Sequence, residues 1–366
     1  MRILHLVKYF YNSHGGFETY VKDIVFSDLF SGSGFSFSVF CFGESNKDVV
    51  LYFNGVEVMV HVCKPWFYYK NQPIGIPFKR FVEVAYNHEI IHHHYPFPIF
   101  EILLLLPFRR KKFVMTWHGN IEKHRWGKFD FFYGKFITFV LVNSSRVIVT
   151  SRSVIDNSKY LNLFSNKVTV LPISHRPKEN VVPRSFPSNG FNILFVGKLR
   201  LYKGVDILLK SISNLDVSLT IVGDGEELKN LEMLVVDMKL KSQVYFRRVL
   251  TERELDFEYK NADLFVLPSI NEGEAFGIVQ LEAMSYGLPV INTNVNSGVP
   301  FVSLNGKTGI TVEPNNVDSL KKAIIGIMSN PLQYESFSAN ALVRVKDFDP
   351  KVVHSELFKI YKESIL

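Results

Sequence analysis

Short apolar runs of four to seven residues alternate along this chain with longer stretches in which apolar positions recur at helical spacing. Strands buried on both faces read as continuous apolar runs, so the pattern predicts an α/β fold of parallel sheets covered by helices. In the first half, strands are expected at Arg2–Val7, Ser36–Phe42, Val56–Val62, Glu89–His92, Phe113–Trp117, Val147–Thr150 and Val168–Leu171, with helices such as Glu18–Phe30 between them. The alternation lapses from Ser174 to Gly190, where SHRPKENVVPRSFPSNG carries three prolines and no periodicity, the composition of an exposed linker. It resumes with Asn192–Val196, Val205–Ser213, Leu219–Val222, Glu226–Lys239, Val244–Phe246, Arg253–Asn261, Leu264–Pro268, Phe276–Tyr286 and Pro289–Asn292, a second doubly wound sheet. The expected division is a first domain at 1–175, a linker at 176–190 and a second domain at 191–349. A last helix, Pro350–Leu366, places Val353, Leu357, Ile360 and Tyr361 on one face.

At 366 residues and 47% hydrophobic content, the chain has enough apolar material for two domain cores. A net charge of +7 favours an anionic partner, whether phosphate, anionic lipid or nucleic acid. Cys41 and Cys63 stand far apart without metal-ligand spacing, so neither a disulfide framework nor a zinc site is expected, and a reducing compartment fits. Met1–Val7 runs straight into a strand rather than a secretory signal, and the apolar run Ile102–Phe108 falls short of the roughly 20 residues that span a bilayer. A cytoplasmic location is the expectation.

The chemistry concentrates in the second half. In NEGEAFGIVQLEAMSYGLP, from Asn271 to Pro289, a loop holding Glu272 and Glu274 leads into a helix expected to begin near Phe276 and to end at Gly287. Backbone N–H groups around Ala275, Phe276 and Gly277 would then point at a diphosphate, favoured by the helix dipole. Glu282, eight residues beyond Glu274, is placed to accept both hydrogens of a ribose diol. Spacing alone fits equally a helix cap at Glu274 and a solvated carboxylate at Glu282.

The whole string, however, resembles the E-x7-E motif of glycosyltransferase family 4, as do the flanking segments ADLFVLPS and GLPVI. Phe195–Gly204, FVGKLRLYKG, is similar to the family's G-R-L-x-x-x-K-G segment, in which two cations meet the donor diphosphate. Lys198 stands at the family's Arg position and Lys203 at its Lys position; Lys lacks the planar fork of Arg, and Arg200 is the candidate to replace it. Ile221–Leu228, with Gly223, resembles the segment beside the nucleotide, while Ser297–Pro300 and Gly306–Gly309 resemble segments of O-antigen transferases. Two features depart from the family: Arg247-Arg248 where glycine is usual, and Leu171–His175 without the N-G-x-D ending.

In the first half, Ser13-His14-Gly15-Gly16-Phe17-Glu18 lacks the G-x-G-x-x-G fingerprint of dinucleotide folds and is similar to the family's G-G-x-E entry loop, which implies that Gly15 and Gly16 lie near the transferred sugar. His118, in Thr116-Trp117-His118-Gly119, follows a strand; the resemblance implies contact with a donor-sugar hydroxyl or stabilisation of developing charge. His92-His93-His94 is not expected to bind metal, because adjacent strand residues face opposite ways. Seven Lys or Arg against two Glu between His92 and Lys128, including Arg109-Arg110-Lys111-Lys112, suit an anionic membrane as well as a solvated charge run.

The resemblance implies a GT-B architecture, two Rossmann-like domains facing across a cleft with the C-terminal helix crossing back. It implies retaining hexosyl transfer in which Glu274, Lys198, Lys203 and His118 are catalytic, and in which Gly197, Gly223, Arg200, Ala275, Phe276, Gly277, Glu282, Gly15 and Gly16 bind the donor. GDP-mannose is the favoured donor, with a UDP-hexose the alternative. No cofactor or obligatory metal is implied. The expected acceptor is a polyprenyl-diphosphate-linked glycan of O-antigen or lipopolysaccharide, reached from the cytoplasmic face of the membrane, and nucleic acid is not an expected partner. A nucleotide-sugar 2-epimerase and a non-catalytic glycan-binding relative are the readings from other classes.

Overall fold

The computed structural model describes residues 1–10, 16–30, 32–53, 55–69, 72–75, 78–104, 111–119 and 130–365. The chain forms two compact units, Met1–Ser174 with Pro350–Leu366, and His175–Asp349.

In the first unit, strands β1 (Arg2–Leu6), β2 (Ser36–Phe42), β3 (Lys47–Phe53) and β4 (Val56–Cys63) are followed by a hairpin, β5 (Phe67–Tyr69) and β6 (Gln72–Ile74), then by β7 (Ile90–Tyr95), β8 (Lys112–Trp117), β9 (Arg146–Val149) and β10 (Val168–Val170). Eight of them form one sheet in the order β10-β9-β8-β7-β1-β2-β4-β3. All its pairings are parallel except β3 with β4. The pattern anticipated the parallel strands, whereas edge strand β3 and the β5–β6 hairpin were not expected. Helix α1 (Gly16–Val25) ends before the expected Phe30, a separate turn covering Asp28–Phe30. The helices α2 (Phe78–Tyr86), α3 (Pro98–Leu103), α4 (Asp130–Asn143) and α5 (Arg152–Asp156) follow in order.

The second unit holds an all-parallel sheet of β11 (Asn192–Val196), β12 (Ser218–Val222), β13 (Val244–Arg247), β14 (Leu264–Leu267), β15 (Val290–Thr293) and β16 (Gly309–Val312), ordered β13-β12-β11-β14-β15-β16. Its helices are α6 (Val205–Ser211), α7 (Leu228–Asp237), α8 (Glu252–Asn261), α9 (Val279–Ser285), α10 (Val299–Val302), α11 (Val317–Met328) and α12 (Pro331–Arg344). The strand order reverses between β11 and β14, and ligands of open α/β sheets bind outside the carboxyl ends of the strands at such a point.

Helix α13 (Pro350–Glu363) joins the first unit's core, where Val353, Leu357, Ile360 and Tyr361 are buried with Ile3, Val39 and Phe30. The segment read as an exposed linker is bound to the second unit. The Arg184 guanidinium donates to the carbonyls of Tyr286, Ala262 and Tyr259, each at 2.8 Å, and of Lys260 at 3.2 Å, and its backbone N–H donates to Ser338 at 2.7 Å. Proline content gave the lack of periodicity correctly, but one planar fork with several donors suffices to fasten a coil to helix-end carbonyls.

Candidate active site

Two loops flank the strand-order reversal of the second unit: Gly197–Gly204 after β11, and Pro268–Ile278 after β14. The first brings Lys203, in the turn Leu201–Lys203, and the second brings Glu274; the Lys203 ammonium donates to the Glu274 carboxylate, and both side chains are buried. Ser269 supports the same carboxylate oxygen at 3.3 Å, and its own carbonyl accepts from Thr293 at 2.6 Å. The loops therefore hold a cation and an anion together at the position where the topology favours a ligand.

The backbone approaches closely there because two residues lack side chains. A Cβ on Gly223, at φ +147°, would lie 1.9 Å from the Gly197 carbonyl oxygen, so the turns after β11 and β12 can touch only with glycine. A Cβ on Gly197 would be 3.5 Å from the Lys203 Nζ, which places that ammonium directly over the turn. Lys198 and Arg200 occupy the same loop, both exposed, and neither forms an ion pair among the described residues. Their charge is available to an anion arriving at the loop.

Helix α9 starts at Val279 rather than near Phe276. Gly277, at φ +73°, interrupts helical geometry, and the Phe276 side chain is buried, 6.2 Å from the Phe348 ring. The N–H groups of Ala275, Phe276, Gly277, Ile278 and Val279 donate to no other group among the described residues. The anion-binding donors expected of a helix start thus belong to the loop ahead of it. Glu282 lies in the first turn of α9, partly buried, with one carboxylate oxygen accepting from the Tyr259 hydroxyl of α8 at 2.6 Å. Burial raises its carboxyl above the usual range, while Tyr259 and Lys178 pull the other way.

Two full-length relatives and one solved structure bear on this arrangement. The chain matches the family model for group 1 glycosyl transferases over residues 178–344 and that for glycosyltransferase family 4 over 14–173. It is 27% identical to the D-rhamnosyltransferase WbpZ of Pseudomonas aeruginosa, over 94% of this chain and 91% of that one. It is 24% identical to the O-antigen chain mannosyltransferase C of Escherichia coli, over 95% and 94%. Anabaena HepE, solved in complex with UDP, superposes with a TM-score of 0.78 at 18% identity, covering 99% of this chain and 100% of that one. The chain belongs to the group 1, family 4 glycosyltransferases. Its fold is GT-B.

In this glycosyltransferase Lys203 and Glu274, singled out separately in the sequence, meet as a charged pair. Sequence reasoning missed Tyr259 and Ser269, which hold Glu282 and Glu274. The unusual Arg247 and Arg248 are tied back to Glu258 at 3.5 Å and Glu232 at 3.8 Å.

In the first unit, Gly15 lies outside the described residues, and Gly16 is the first residue of α1. His118, just beyond β8, is buried, and burial pushes its imidazole down to about 3, so it is neutral at pH 7. The histidine run was read from adjacent residues, which face opposite ways, and not from residues two apart. His92 and His94 are two residues apart, share a face, and meet His5 of β1, which pairs with His92 in the sheet. Of the basic run 109–112, Arg109 and Arg110 lie outside the described residues. Lys111 is occupied, donating to the carbonyls of Tyr86 and His88 at 2.5 Å each, and so closes the end of α2. No helix among the described residues is long and apolar enough to cross a membrane.

Proposed function

We propose that this glycosyltransferase transfers a hexose, with retained anomeric configuration, from GDP-mannose to a polyprenyl-diphosphate-linked glycan of a surface polysaccharide. The observation that carries the reading is the Lys203–Glu274 pair at the strand-order reversal, with Lys198, Arg200 and a row of backbone N–H donors around it. In this reading the cations neutralise the departing diphosphate, and charge developing on its leaving oxygen is stabilised by groups already in place. Glu282, oriented by Tyr259, takes the ribose diol. Glu274 sits beside the transferred sugar and holds Lys203 in position until the diphosphate competes for it. No step requires a protein base, because the leaving phosphate can accept the acceptor's proton on the same face.

Support for the sugar comes from the two full-length relatives, named for D-rhamnosyl and mannosyl transfer. D-Rhamnose is 6-deoxymannose, so both names describe a manno-configured ring. The acceptor reading follows the O-antigen assignment of the second, and a lipid-linked acceptor would place the enzyme at the cytoplasmic face of a membrane.

Calorimetric and thermal-shift titration with GDP, UDP, GDP-mannose and UDP-hexoses tests the proposal on the wild type and on Glu282→Ala. GDP selectivity, lost in the variant, is expected. UDP selectivity would replace the donor, and absence of any nucleotide binding would overturn the pocket.

A further inference from the structure

Helix α13 buries one face in the first unit's core and turns a second stripe outward. Lys351, Ser355, Phe358 and Lys362 recur on that stripe at helical spacing, with Lys359 beside Phe358. The turn Asp28–Phe30 faces them, and between the two elements runs a groove of about 450 Å³, within the range of about 300–1,000 Å³ that ligand sites occupy.

The floor of the groove is aromatic. Phe30 lies 6.3 Å from the Phe358 ring and 5.9 Å from the His354 ring, the latter with planes 27° from parallel. Both nitrogens of His354 are engaged inside the unit, Nδ1 at 2.9 Å from Ser27 Oγ, and Nε2 at 3.0 Å from Ser174 Oγ and 3.3 Å from the Asp23 carboxylate. The imidazole therefore lends the groove ring surface. Leu29 of the facing turn, 40% exposed, adds an aliphatic group to the wall.

The rim is cationic. Lys351, Lys359 and Lys362 line the groove, and among the described residues no carboxylate does. Lys362 Nζ lies 4.2 Å from the centroid of the Phe358 ring, its stem laid along the aromatic floor. The acids of α13 stand off the stripe: Glu356 meets Lys359 at 2.6 Å, and Glu363 meets Arg146 at 3.4 Å. The facing turn brings one exposed acid, Asp28, so the groove keeps an excess of positive charge.

Length and place narrow the occupant. Lys351 and Lys362 are eleven residues apart, about 16 Å along the helix axis, more than one phosphate group can span. A row of headgroups supplies anions at that spacing, and its hydrocarbon boundary matches Leu29 and Phe358, which a free anion would leave in water. The groove also lies at the amino ends of the strands, for the Met1 ammonium at the start of β1 donates to the carbonyl of Gly34, next to Ser33 of the groove wall. Open α/β sheets take their substrates at the carboxyl ends, so the groove is separate from the first unit's share of the active site.

We propose that the groove between α13 and the turn Asp28–Phe30 docks the first unit on an anionic phospholipid bilayer, with the three lysines on headgroup phosphates and Leu29 and Phe358 against the acyl boundary. This goes beyond the proposed function, which sets the enzyme at a membrane without assigning the surface, and it does not depend on which sugar or acceptor is used.

Flotation of the full chain with vesicles of phosphatidylcholine alone, and of an equal mixture with phosphatidylglycerol, tests the docking in the absence of donor and acceptor. Binding to the mixed vesicles alone, weakened by added salt, is expected; equal binding to both kinds, or to neither, overturns the proposal. Lys359→Gln/Lys362→Gln should weaken binding to the mixed vesicles about 30-fold, which corresponds to about 1 kcal/mol for each cation near such a surface. Leu29→Gln should weaken it about threefold to eightfold. Melting temperature and GDP or UDP affinity should stay at wild-type values in both, so a failure of the nucleotide reading would show separately. Wild-type vesicle affinity in the lysine double variant would assign the docking to another surface and overturn the proposal. So would inorganic phosphate that releases the protein from vesicles where sodium chloride of equal ionic strength does not, since the groove would then be a free-anion site. A dimer in sedimentation that Leu29→Gln dissociates would give the groove to a second copy and overturn it as well.

Discussion

Replacing Lys203 by Met removes one half of a buried charged pair and leaves the Glu274 carboxylate with Ser269 as its remaining side-chain partner. Both side chains are about nine-tenths shielded, at 10% and 11% exposure, so solvent replaces little of what is lost. Breaking one side of such a pair costs about 3–5 kcal/mol, because the remaining charge stays buried. For a unit the size of His175–Asp349, each kcal/mol shifts the melting midpoint about 2–4 °C, which gives a fall of roughly 6–20 °C. The double variant Lys203→Met/Glu274→Leu removes both charges and should recover most of that loss, since apolar replacement of a whole buried pair is often neutral.

Binding separates the structural role from the functional one. A hydrogen bond to a charged group is worth about 1.5–3 kcal/mol, so the loss of Lys203 should weaken GDP or UDP roughly 10- to 150-fold in both the single and the double variant. Thermal melts and calorimetry on the same preparations give both numbers. Recovered stability with unrecovered nucleotide affinity is the expected combination. If the single variant melts within about 2 °C of wild type, the burial argument is refuted; if the double variant binds nucleotide as tightly as wild type, Lys203 has no part in the donor site.

Glu282 gives a pH prediction. Its carboxyl is raised by burial, so the folded protein favours the protonated form: its contribution to stability is most favourable below the unfolded value and declines as pH rises through the raised one. A ribose diol needs the carboxylate, so calorimetric GDP or UDP affinity should fall as pH is lowered from about 7.5 towards 5, and Glu282→Gln should bind weakly with no such slope. Arg184→Gln should cost the second unit about 3 kcal/mol or more in urea unfolding, because four helix-end carbonyls lose a charged donor. A change within about 0.5 kcal/mol would show that water replaces the guanidinium there.

The residues legible in the sequence were those whose role is set by position along one strand and its following loop. Lys203 and Glu274 each follow a readable apolar run, and the sheet order then brings them together. What the sequence hid depends on contacts between elements. Tyr259 reaches Glu282 from another helix, and the His5–His94 bond needs the register of β1 against β7. The helix start was misplaced because Gly277 was read as a backbone donor and not as a residue at φ +73° that stops helical geometry. Strand β3 was overlooked although Asn54-Gly55, between Phe53 and Val56, is the dipeptide that tight hairpins prefer. Its exposed edge carries no continuous buried run, the signal on which the other strands were found.

A buried ion pair is weak evidence for stability, since well-packed apolar side chains in the same space often do as well. The Lys203–Glu274 pair therefore calls for another explanation, and the loop around it supplies one. Glu274 keeps the ammonium over Gly197, beside exposed Lys198 and Arg200 and a row of N–H groups with no acceptor among the described residues. A diphosphate entering there would share the ammonium with Glu274 and find its donors already oriented, so little reorganisation would accompany the charge that develops as the bond to the sugar breaks. An apolar pair would pack the loops equally well and leave that charge without a partner. Under the proposed function, the pair serves what it offers the leaving group, and the double variant, expected to be stable yet to hold a nucleotide weakly, is the protein in which the two roles come apart.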